Sequence, residues 1–215
     1  MAREKHKVHH PSSVVIVTSG EMIFHAIYDE TFPREAWRLH ANFIGGNYKA
    51  GKDYSPRGLL EREVSEEISL PPANQDLFAP ESVILRARKN ILLQAHSYGD
   101  FLITDPNIGQ KLVDGKVSDN VVSVYHSEIP EDLMQTIQET LSSRKRMGSE
   151  GYLAVNPIDS LVTGKVPMAW SSPAMLSYFL RKEVANPHGA KAVFLGRTRE
   201  TFIDYLPDFD YAVSI

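Results

Sequence analysis

Apolar residues fall in two short β-branched runs near the start of the chain, Val14 to Thr18 and Met22 to Tyr28, with Ser19-Gly20 between them. That spacing predicts a hairpin. Trp37 to Ile44 reads as a third strand ending at Gly45-Gly46, and the polar stretch Asn47 to Tyr54 as a loop. Ser55 offers a helix cap, and Pro56 suits a first helical position because its missing N–H has no partner there. A helix is expected from about Pro56 to Ile68, with Leu60, Val64 and Ile68 as its buried stripe at i, i+4 and i+8. Pro71-Pro72 cannot continue it. Beyond it, Val83 to Leu93, Phe101 to Thr104 and Val121 to Tyr125 read as strands, and Glu131 to Arg144 as an amphipathic helix. Tyr152 to Val155 reads as a strand, Ser172-Pro173 opens a helix to about Val184, Ala192 to Leu195 is a last strand, and Arg199 to Tyr205 a short helix. Strands and helices are intermixed, which argues an α/β or α+β fold.

At 215 residues the chain has room for one large domain, or one domain with an appendage. The expected layout is a flexible polar tail over residues 1–12, a folded domain over 13–184 and an extension over 185–215 packed on that domain. Met1 to Ser13 is basic, carries His6, His9 and His10, and lacks the apolar core of a signal peptide. The formal net charge is −4, without the basic excess expected of a protein that binds nucleic-acid duplexes. There is no cysteine, which removes disulfides, cysteine-based metal sites and thiol nucleophiles and fits a reducing cytoplasm. The uncharged stretch Val166 to Leu180 is too short and too interrupted to span a bilayer, so no membrane association is expected.

The segment Gly45 to Leu70 carries the chemistry. It contains Arg62-Glu63-Val64-Ser65-Glu66-Glu67. At about 100° per residue, Glu66 falls near −60° and Glu67 near +40° of Glu63, so three carboxylates share one face about 100° wide. Such a face is either solvated, with Arg62 and Glu66 as an i, i+4 pair, or offset by a hard divalent cation, which takes oxygen ligands. A strand ending in Gly-Gly, a glycine-containing loop and a capped helix that presents the carboxylates favour the second reading.

This segment resembles the signature of the Nudix hydrolases: Gly, five residues, Glu, seven residues, then Arg-Glu-U-X-Glu-Glu-X-Gly-U, where U is bulky and aliphatic. Arg62, Glu63, Val64, Glu66, Glu67 and Leu70 match its second half, Gly46 its leading glycine and Gly51 a common second glycine. The resemblance implies an α/β/α sandwich with a mixed sheet, and a signature folded as loop–helix–loop. It also implies a Mg²⁺- or Mn²⁺-dependent hydrolase that cleaves a diphosphate bond in a nucleoside diphosphate linked to another moiety. Glu63, Glu66 and Glu67 would then be metal ligands and catalytic residues, with Arg62 orienting them. The implied partner is a small nucleotide-type substrate, and a homodimer is an open assembly state.

The chain departs from the signature in three places. Lys52 stands where the first Glu belongs, two extra residues lie between it and Arg62, and Ser69 replaces the last Gly. Asp53, next to Lys52, is a candidate to replace that Glu as the support of Arg62. These departures motivate an alternative, a catalytically inactive Nudix-like module that binds a nucleotide or a protein. Glu150, in Gly148-Ser149-Glu150-Gly151, is a candidate for the further catalytic or metal-binding Glu that many family members draw from a distant loop. Arg86 and Arg88 would share one face of a strand and are candidates for a diphosphate contact, as Gly46 is for the substrate. Asp100 and Asp105 are weaker candidates, explained equally by turns. Trp37 and Trp170 are candidates to stack on a base, against an ordinary place in the core.

Overall fold

The computed structural model describes residues 4–8, 11–69, 78–104, 112–113, 116–143, 146–147, 151–198, 200 and 210–213. Their strands are β1 (Glu4–Val8), β2 (Ser12–Ser19), β3 (Met22–Ile27), β4 (Ala41–Asn42), β5 (Ile44–Asn47), β6 (His96–Thr104), β7 (Leu112–Val113), β8 (Lys116–Glu128), β9 (Tyr152–Pro157), β10 (Lys191–Gly196) and β11 (Asp210–Val213). The helices are α1 (Pro56–Glu67), α2 (Glu81–Gln94), α3 (Glu131–Ser142), α4 (Ile158–Val162) and α5 (Ser172–Leu180). The sheet runs β10-β6-β8-β2-β3-β4, with β5 on β2 and β9 on β3. β8 runs parallel to β2 and to β1, while the other ladders along this path are antiparallel, so the sheet is mixed.

Alternation along β2 explains the layers. Val15 and Val17 face one side, where they pack with Leu60, Val64 and Ile68 of α1, Ile84, Ala87 and Ile91 of α2, and Leu133 and Ile137 of α3. Val14 and Ile16 face the other side and pack with Phe101, Val122, Leu161 of α4 and Leu176 of α5. A strand buried on both faces reads as an unbroken aliphatic run, which is what Val14 to Val17 is. The result is the expected sandwich, three helices on one face of a mixed sheet and two on the other.

Several expectations need correction. Val83 to Leu93 is helical, not extended. Its aliphatic runs look β-like, but Ile84, Ala87 and Ile91 form the buried stripe of a helix, while Leu85 and Leu93 stay exposed. Trp37 to Ile44 is no single strand, because Glu35–Trp37 is a 3-10 turn and Leu39 takes a positive φ of 59° before β4 and β5 begin. Glu4–Val8, expected as a polar tail, is a strand paired with β11 and β8. The helix expected at Arg199 to Tyr205 lies outside the described residues. No helix among the described residues is long and apolar enough to cross a membrane.

His25 on β3 is fully buried, with Nδ1 donating to Ala26 O at 2.9 Å and Nε2 2.8 Å from Asn156 Oδ1. Burial lowers its pKa by more than those hydrogen bonds raise it. The unfolded chain, with His25 near its ordinary 6.5, therefore binds that proton more readily than the fold does. The stabilisation is complete above about pH 6.5 and is lost as pH falls through the window below it. Urea unfolding midpoints should decline on acidification from about pH 7.5 to about pH 5.5, and the decline should be shallower in His25→Gln. Equal slopes would show that His25 carries no linkage.

Candidate active site

Helix α1 begins as its sequence dictates, with Ser55 Oγ accepting from Gly58 N at 3.0 Å and Pro56 in the first turn. Leu59, Leu60 and Val64 bury its inner face. Both ends are tied to α2, which runs antiparallel to it. Arg57 donates to Ala95 O at 2.7 Å and to Leu92 O at the C-terminus of α2. Arg88 donates to Ser65 O and Ile68 O at the C-terminus of α1. In both cases a cation sits at the negative end of a helix.

Arg62 organises the site. Its Nε donates to Asp53 Oδ1 and its Nη2 to Asp53 Oδ2, both at 2.8 Å, a bidentate pair. Nη1 of the same guanidinium donates to Glu63 Oε1 and, at 3.0 Å, to Glu66 Oε2, and Nη2 also reaches Asn47 O at 3.1 Å. Asp53 therefore takes the supporting position that Lys52 vacates. Lys52 itself is exposed. Burial opposes ionisation of Asp53, but the Arg62 and Lys49 hydrogen bonds and charges outweigh it and hold its pKa below the ordinary value. Gly51 turns the loop in a left-handed conformation, φ +78°.

Glu63 is buried against the sheet. A Cβ on Gly46 would stand 2.4–2.6 Å from its carboxylate atoms, so only glycine leaves that group where it is. Burial raises the pKa of Glu63 against the opposing pull of Arg62 and Lys49. Glu66 is more open, and its pKa is lowered, first by the hydrogen bond from Lys49. Lys49 Nζ lies 3.0 Å from Glu66 Oε2 and 3.9 Å from Glu63 Oε1. Nothing in the residue pattern singles out Lys49, because its contact is made across a loop with no fixed spacing. The charge of Glu67 is felt at Tyr28, whose pKa is raised first by burial and then by that charge. Ser69 is not among the residues with positive φ, so it bears no left-handed strain.

Glu63 and Glu66 thus converge on common cationic groups, while no three His, Asp or Glu side chains among the described residues form a metal-binding group. A pair of hard carboxylates fits Mg²⁺ or Mn²⁺, which binds through one or two carboxylates and completes its shell with water and phosphate. The other candidates lie apart. Arg86 is on α2, not a strand, and pairs with Asp132 of α3, and Arg88 caps α1. Strand alternation therefore does not place them together. Asp100 is buried and accepts from Ser123 Oγ at 2.7 Å. Trp37 is buried with the Arg34 guanidinium 4.5 Å over its ring, and Trp170 packs against the second core. Glu150 and Asp105 lie outside the described residues.

No protein-family model matches the chain, and a search of curated proteins finds no match. Similar solved structures do exist. One is a mutT/nudix family protein from Listeria innocua, 13% identical, over 81% of this chain and 94% of that one, at a TM-score of 0.45. Another is the E. coli dihydroneopterin triphosphate pyrophosphohydrolase, 14% identical, over 81% and 99%, at 0.44. A third is the Nudix domain of Shewanella oneidensis NrtR, solved with ADP ribose, 9% identical, over 83% and 89%, at 0.44. The chain resembles the Nudix hydrolases in fold. Identities this low carry no substrate across.

Two substitutions test the geometry. Asp53→Asn should lower stability by about 3 kcal/mol, because it removes one partner of a buried ion pair and leaves Arg62 short of charge. Retention of the wild-type urea midpoint would remove Asp53 from its supporting role. Gly46→Ala should displace the Glu63 carboxylate while shifting the midpoint by less than about 1 kcal/mol, since the clash is with the end of a flexible side chain. Its mark would be Mn²⁺ affinity weakened about tenfold or more, read by electron paramagnetic resonance.

Proposed function

We propose that the protein is a Mg²⁺- or Mn²⁺-dependent hydrolase that cleaves a diphosphate bond in a nucleoside diphosphate linked to another moiety. The observation that carries this reading is the clamp in which Arg62, held by Asp53, bonds both Glu63, packed against Gly46, and Glu66 through one nitrogen. A structural ion pair needs only one carboxylate. Two turned onto one point and partly shielded from water are an arrangement that a divalent cation stabilises.

In this reading Glu63 and Glu66, joined by Glu67, hold the metal. A divalent ion held there would supply charge to offset that of the phosphoryl oxygens and would lower the pKa of a bound water. Arg62 keeps the two nearer carboxylates in position, and Asp53 keeps Arg62 in position, so little reorganisation remains when substrate arrives. Gly46 keeps the Glu63 carboxylate against the backbone. Glu150 is proposed as a further base or ligand. The base, sugar and second moiety of the substrate are chosen by groups outside this cluster.

A hydrolysis panel at slightly alkaline pH, with the nucleoside monophosphate and other phosphorylated products separated by chromatography, tests the proposal. It would contain nucleoside triphosphates, ADP-ribose, NADH, nucleotide sugars and dinucleoside polyphosphates, each with Mg²⁺ or Mn²⁺. Turnover should require the metal and should fall by about 100-fold or more in Glu63→Gln and Glu67→Gln. Absence of turnover with nucleotide binding retained would instead support the inactive binding module.

A further inference from the structure

Lys49 occupies a place that the signature does not assign. Its backbone is fixed by the residue that fixes Arg62. Lys49 N donates to Asp53 Oδ2 at 2.7 Å, and Lys49 O accepts from Lys52 N at 3.0 Å and Asp53 N at 3.1 Å. From that anchored loop the ammonium reaches the two carboxylates that Arg62 also holds, at 3.0 Å from Glu66 and 3.9 Å from Glu63. The Lys49 side chain is 48% exposed and that of Glu66 42%, so water has access to the pair and it can open without unfolding anything. Arg62, 14% exposed and held by Asp53 on its far edge, has no such freedom.

We propose that Lys49 is a tethered, displaceable counter-ion of the metal site. With no divalent cation present its ammonium pairs with Glu66 and, more distantly, Glu63, and a divalent cation entering between those oxygens must evict it. The inference rests on the reading that Glu63 and Glu66 hold the metal. A divalent cation seated between those oxygens would be repelled by an ammonium at contact distance from the same oxygens, and the exposed lysine is the cation free to leave, so the lysine and the metal compete. The apparent metal affinity is then the intrinsic affinity reduced by the fraction of molecules in which the lysine is away. Lys49 also gives the site without metal a second cation beside Arg62, against the carboxylates of Asp53, Glu63 and Glu66. Without it two carboxylates would share the single Arg62 already engaged by Asp53.

The test is a Mn²⁺ titration by electron paramagnetic resonance on the full chain, at fixed pH and ionic strength, of wild type, Lys49→Met, Lys49→Arg and Glu63→Gln. Lys49→Met should bind Mn²⁺ about fivefold more tightly than wild type, the factor expected from removing a competing exposed ion pair. Lys49→Arg, which keeps the charge, should stay within about twofold of wild type. A lysine that merely supports the loop would give the opposite sign, weaker Mn²⁺ binding in Lys49→Met, and that result overturns the proposal. Equal affinities in wild type and Lys49→Met, both tighter than Glu63→Gln, would also overturn it while leaving the metal site standing. If wild type and Lys49→Met bind no better than Glu63→Gln, the metal reading fails, and the role of Lys49 fails with it.

Discussion

The fork of Arg62 on Asp53 is the constraint on which the site depends. A guanidinium is planar and offers its donors in a fixed pattern. Once two of its edges are spent on Asp53 and Asn47 O, the remaining Nη1 has one direction left, and Glu63 and Glu66 lie along it. Asp53 also accepts the backbone N–H of Lys49, so one buried carboxylate sets both the loop and the clamp. Its charge is tolerated because every near neighbour on that side donates to it.

That clamp needs a rigid helix behind it. Helix α1 packs on the sheet, which Leu60 and Val64 face, and beside α2, which meets it through Arg57 and Arg88. Tying both ends limits sliding along the sheet, and a slide of a fraction of a turn would take Glu63 away from Gly46. The missing side chain at Gly46 is the counterpart of that precision, since any larger residue would fill the space of the Glu63 carboxylate. Gly45 beside it is constrained by a close approach of another kind, because a Cβ there would stand 2.1 Å from Ser13 O across the ladder. The two glycines thus serve different ends, one the pairing of strands and one the site.

Charge in the site is arranged by depth. Glu63, deepest, is pushed toward its protonated form by burial. Glu66, nearest water, is held ionised by Lys49 and Arg62. The Glu67 charge is felt at Tyr28, which hydrogen-bonds to Asn42, itself bonded to Ser172 at the start of α5. A polar chain of Tyr28, Asn42 in β4 and Ser172 thus runs to the opposite layer of the sandwich from a phenol that senses the acidic helix face.

Local signals were legible in the sequence wherever the physics is local. The cap at Ser55, the stripe of Leu60, Val64 and Ile68, and the spacing of Arg62, Glu63, Glu66 and Glu67 are set by helix geometry alone, and they appear in the fold as written. Asp53 was legible as the only carboxylate adjacent to the position of the missing Glu. The runs in Val83 to Leu93 misled because an aliphatic segment buried on one side looks alike in a strand and a helix until its packing partner is known. Tertiary structure alone decided what lies far apart in the chain: that Gly46 meets Glu63, that Lys49 reaches Glu66, and that Arg86 and Arg88 are drawn to α3 and to the end of α1. Those contacts depend on how loops close and helices pack, and no period in the residue pattern records them. The sequence by itself determined which side chains share the face of α1, because a helix repeats on its own pitch. Which of them meet one another, and across what gap, was decided only when the sheet and α2 closed around it.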